Sequence, residues 1–142
     1  MRLFAACLAV LAGLGVTAGA RAAVNGSVPV ICATMEIMEC APQAGCQRVS
    51  AEAAGIPKFL HVNFADQEIT HRLPDGEAVS STIERSETVD GRIILQGAED
   101  GLENVRDGIG WSLSIDQETG NMVVSGSGMD VAFVIFGACT AL

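Results

Sequence analysis

Gly110-Trp111-Ser112-Leu113-Ser114-Ile115-Asp116-Gln117-Glu118-Thr119-Gly120-Asn121-Met122-Val123-Val124-Ser125 is the stretch that decides the fold. Trp111, Leu113 and Ile115 alternate with Ser112, Ser114 and Asp116, a period of two that gives an extended strand one apolar and one polar face. Gln117 to Gly120 is turn-forming, and the chain returns from Asn121 to Ser125 as the second arm of a hairpin. Trp111 reads as an inward anchor, because Leu113 and Ile115 continue its face.

The same signal recurs on both sides. Downstream, Val131 to Ala138 is apolar on both faces, the mark of a central strand. Upstream, Leu60, Val62 and Phe64 alternate with His61 and Asn63. After a polar turn the pattern resumes at Ile69 to Arg72. Pro74-Asp75-Gly76-Glu77 is a turn, and strands are expected at Ala78 to Arg85, Thr88 to Val89 and Arg92 to Gln96, with Asp90-Gly91 between the last two. Val28 to Cys40 suits one or two short strands. The one helical signal is Ser50-Ala51-Glu52-Ala53-Ala54-Gly55, with Ser50 as N-cap and Gly55 as terminator before Pro57. The expectation is an all-β, mainly antiparallel domain: a small disulfide-stapled sandwich or barrel with one short helical turn.

The N-terminus reads as an export signal over residues 1–22. Arg2 precedes the apolar run Leu3 to Val16, and Ala18-Gly19-Ala20 and Ala20-Arg21-Ala22 offer small-x-small cleavage sites. Residues 23–142 then form a single exported β-domain, periplasmic or secreted. Cys7 lies inside the apolar run, too early for lipid attachment, and leaves with the signal. Arg2 and Arg21 leave too, so 6 of the 8 basic residues face 17 acidic ones and the net charge moves from −9 to −11. That field repels nucleic acid and anionic lipid, and accommodates a basic protein or a divalent cation more easily. No second apolar run follows, so stable membrane insertion is not expected after cleavage. Tyrosine is absent and the single tryptophan is Trp111, which leaves few aromatic platforms for sugars or single-stranded nucleic acid.

Four cysteines remain: Cys32, Cys40, Cys46 and Cys139. An even number in a small exported domain reads as two disulfides with three possible pairings. The Pro- and Gly-containing loop between Cys40 and Cys46 favours their union, which leaves Cys32 for Cys139. No C-x-x-C is present, so redox-couple, zinc-knuckle and haem-attachment chemistries lack their spacing.

Leu95-Gln96-Gly97, Gly110-Trp111-Ser112, Ile115-Asp116 with Thr119-Gly120, and Phe136-Gly137-Ala138-Cys139-Thr140 together resemble a group of small exported bacterial proteins of unknown function. The resemblance covers most of the chain after the signal. It implies a bacterial, exported, mainly β domain and carries no catalytic residues with it. The acidic stretch Glu99 to Asp107 is longer than the connection expected before G-W-S.

Site signatures are sparse. His61 and His71 sit on adjoining strands; a two- or four-residue loop puts them on opposite faces, and a three-residue loop would put both on one face, still too few ligands for zinc. Glu99 to Gly108 is rich in carboxylates and glycine but lacks the alternation of a calcium loop. No nucleophile elbow occurs. The expectation is therefore a non-enzymatic binding or envelope-associated module without metal or cofactor, with Glu99, Asp100, Glu103 and Asp107 as candidate partner-binding residues. An inhibitor of a basic secreted enzyme such as lysozyme is the alternative, with Ser125-Gly126-Ser127-Gly128 as its flexible loop. A hydrolase without a visible motif is the third reading.

Overall fold

The computed structural model describes residues 24–73, 76–101, 104 and 107–142. The signal assigned to residues 1–22, Glu103, and Pro74 and Asp75 of the expected turn lie outside the described residues. The chain forms β1 (Val30–Ala41), β2 (Gly45–Val49), α1 (Ala51–Ala54), β3 (Phe59–Asn63), β4 (Glu68–Arg72), β5 (Ala78–Thr82), β6 (Arg85–Val89), β7 (Arg92–Glu99), β8 (Ile109–Asp116), β9 (Asn121–Ser127) and β10 (Ala132–Ala141). The fold is all-β, and the helical piece is the turn expected at Ser50. Ser50 Oγ accepts from Ala53 N at 3.2 Å. Gly55 ends the turn with φ 65°, where a β-carbon is disfavoured.

All strand pairs are antiparallel within one curled half-barrel sheet, ordered β5-β4-β3-β1-β10-β9-β8-β7-β6, with β2 paired to the outer half of β1. The curl follows from topology. Strands β5 and β6 stand at opposite ends of that order, yet only Ile83 and Glu84 separate them in sequence. The two edges must therefore approach each other. Ile83 N donates to Gln67 O on one side of this seam at 2.8 Å, and Glu84 N donates to Gln96 O on the other at 2.9 Å.

Period-two alternation fills the concave side. Across neighbouring strands Ile93, Ile115 and Met122 stand in one row, and Leu95, Leu113, Val124 and Ile135 in the next. Val24 and Val30 complete the packed end, each at most 1% exposed. The disulfides join directly opposed residues: Cys32 with Cys139 across β1 and β10, and Cys40 with Cys46 across the β1–β2 hairpin.

The run expected from Ala78 to Arg85 is divided at Ile83 and Glu84 into β5 and β6, and Val28 to Cys40, expected as one or two short strands, is one long strand, because a bulge between Thr34 and Glu36 lets it bend without breaking. The bulge also switches parity: Val30 and Cys32 face inward before it and Ile37 after it, while Met35 is 76% exposed. β10 is central in the strand order, as expected, and on its outer face Val134 and Ala138 are half-buried while Phe136 is exposed. Ser125-Gly126-Ser127 is no loop; it is the end of β9, paired with β8 and β10.

The turn after β8 is fastened by a carboxylate. Asp116 Oδ1 accepts from Thr119 N and Thr119 Oγ1 at 2.9 Å each and from Glu118 N at 3.2 Å. These bonds, led by the Thr119 amide, hold the Asp116 carboxyl below its ordinary value. A lowered native value means the stabilisation is complete above the unfolded-state value and disappears as pH falls through the native one. Asp116→Asn is thus expected to melt below wild type at neutral pH, with the gap closing in acid. A gap constant across thermal melts from pH 7 to pH 2 would contradict this.

Candidate functional site

The half-barrel is not packed throughout. At the end away from Val24 a cleft of about 370 Å³ opens within the concave face. Its floor is Leu113, Val124 and Ile135, the outermost part of the packed rows. Leu60, Ile69 and Val79 form one wall, and Trp111 with Phe133 the other. Helix α1 and the following Gly55-Ile56-Pro57 cover part of the mouth, held by Thr34 Oγ1 donating to Pro57 O at 2.9 Å. Lys58 Nζ meets Glu52 Oε1 at 2.5 Å beside this cover, and its hydrogen bond holds the Glu52 carboxyl below the usual range.

Trp111 is placed by glycines. It stands opposite Gly97 on β7 and Gly126 on β9, so neither neighbouring strand puts a side chain beside the ring. A β-carbon on Gly97 would lie 2.4 Å from the indole Cζ2. The indole is half-buried rather than sealed in the core, and its Nε1 is buried with no hydrogen-bond partner among the described residues. Buried donors normally find a partner, and leaving one unpaired costs about 1–3 kcal/mol. The remaining polar lining is His71, Ser81 and Glu99.

Glu99 is the last residue of β7, two positions beyond Gly97 on the concave face, and Ser81 Oγ donates to its Oε1 across the seam between β5 and β7. Of the three described residues among those selected as partner-binding, Glu99 alone joins the cleft. Asp100 is exposed outside it, and Asp107 folds against Gly101, where a β-carbon would meet its Oδ1 at 2.0 Å. The four-residue connection 64–67 sets Val62 opposite Ile69, which turns His71 to the cleft side and His61 to the other. Among the described residues no group of three His, Cys, Asp or Glu side chains is arranged to hold a metal ion.

Sequence reasoning passed over Ser81 and did not connect Glu99 with Trp111. Ser81 pairs with Ile69, whose inward face was legible, so the β4–β5 register was the signal that would have found it. None of the described helices is long and apolar enough to cross a membrane. Comparison with protein-family models, with curated proteins and with solved structures gives no match for this chain.

Proposed function

We propose that the domain is an exported, periplasmic, non-enzymatic binding module whose half-barrel holds a small, largely apolar ligand in the cleft beneath α1. The observation that carries this reading is the cleft itself: apolar walls, a few placed polar groups and a buried indole N–H without a partner among the described residues. Ligand sites commonly have this composition, and about 370 Å³ lies at the small end of their range. The two disulfides suit an oxidising compartment. A hydrolase gains little here, since the Ser81 hydroxyl is directed to Glu99. Inhibition of a basic enzyme rests on charge alone, because its proposed loop is strand.

Trp111 is the sole tryptophan, so its emission reports on the cleft directly. The neutral dye N-phenyl-1-naphthylamine is expected to bind wild type saturably and quench that emission by energy transfer. Gly126→Leu should fill the cleft without backbone strain, because a β-carbon there meets nothing nearer than 3.6 Å. It is expected to weaken the dye by about tenfold, or 1.4 kcal/mol. Equal binding to both forms, with melting unchanged, would remove the cleft as the site.

A further inference from the structure

We infer that the ligand is an apolar amine, its alkyl or ring portion in the cleft and its ammonium against the Glu99 carboxylate. The inference rests on the binding reading above and adds the chemistry of the head group. Three observations converge on it. Among the described residues Glu99 is the only carboxylate in the lining, and it accepts from Ser81 with no lysine or arginine paired to it. Ser81 donates a neutral hydrogen bond that leaves the negative charge in place, and a cationic donor is the complement such a charge takes. Among the described residues the lining contains no Lys or Arg that would receive a carboxylate or phosphate.

Trp111 strengthens the preference, since it lines the same cleft and an indole face attracts an ammonium. The surplus of acidic residues acts in the same direction at longer range, raising the local concentration of cations and lowering that of anions. Glu99 itself is exposed at the mouth, so the ammonium keeps part of its water and avoids the penalty of a fully buried charge. The apolar portion then meets Leu113, Val124, Phe133 and Ile135 below.

The test compares n-octylamine, n-octanol and n-octanoate, one chain with three heads, by Trp111 emission and calorimetry at neutral pH. The amine is then protonated, as a lysine side chain is. Octylamine is expected to bind more tightly than octanol, and octanoate least. Glu99→Gln, which keeps an acceptor for Ser81, should weaken the amine by about fivefold and leave octanol unchanged. Glu118→Gln removes the same charge from the turn at the far side of β8 and should leave both unchanged. Added salt should weaken the amine selectively.

Equal affinity for amine and alcohol, with Glu99→Gln silent, would overturn the head-group inference while the cleft stands. Loss of amine binding in Glu99→Gln and Glu118→Gln alike would also overturn it, as the mark of a general field rather than a contact. Failure of all three compounds to bind would remove the cleft reading and this inference together.

Discussion

Replacing Cys32 and Cys139 together by alanine is expected to destabilise the domain by about 5 kcal/mol. The bond spans 107 residues of sequence, and a cross-link over so long a loop removes a large share of the unfolded chain's freedom. Cys40 and Cys46 close only 6 residues, and the same relation gives about 2 kcal/mol for Cys40→Ala with Cys46→Ala. The long bridge also lies in the core, with Cys32 fully buried, whereas Cys40 and Cys46 sit on a projecting hairpin. Because small domains are stable by about 5–15 kcal/mol, loss of the long bridge leaves little margin. Urea unfolding under non-reducing conditions checks the ratio. Equal midpoints for the two double variants would show that the entropy of the denatured chain is not what the bridges control.

Leu95→Ala is expected to cost about 3–4 kcal/mol. Leu95 is fully buried, directly opposes Leu113, and does not line the cleft, so the space left behind is closed to water. Val123→Ala, on the outward face of β9 and 38% exposed, should cost well under 1 kcal/mol. Similar midpoints for these two variants would mean that the concave side is not the core.

The alternation at Trp111 to Asp116, the turns at Asp90-Gly91 and Gln117 to Gly120, and the Ser50 cap were legible because each is set by neighbours in sequence. The β1 bulge was not. It inserts one exposed residue, Met35, and so breaks the period-two pattern that a strand is recognised by. The seam at Ile83 and Glu84 was hidden likewise, since a strand that bends from one sheet edge to the other reads as one run. The cleft draws its lining from α1 and seven strands, an assembly that no local pattern encodes. Trp111 was placed inward as an anchor, and it packs half-buried against the core; alternation gives direction and not depth. Glu99 was taken for loop charge, although two residues of strand parity beyond Gly97 already aim it at the concave side.

The motif glycines have structural work that explains their positions. Gly97 makes room for the indole, and a β-carbon on Gly137 would lie 2.1 Å from Ala33 O. Gly120 has φ 72°, and there a β-carbon would meet Cys139 O at 2.3 Å.

The pairing of β1 with β10 also dictates an order of events. Successive hairpins from β3 to β5 and from β6 to β10 join neighbours in sequence and can zip as they appear, but the Cys32 stretch of β1 must wait for a partner more than 100 residues away. Until β10 arrives, one flank of β1 is an open edge, and the Cys32 thiol has no native mate. During that interval Cys32 is exposed to capture by Cys40 or Cys46, which emerge first. Early closing of the small Cys40–Cys46 ring would withdraw both competitors before the last strand docks.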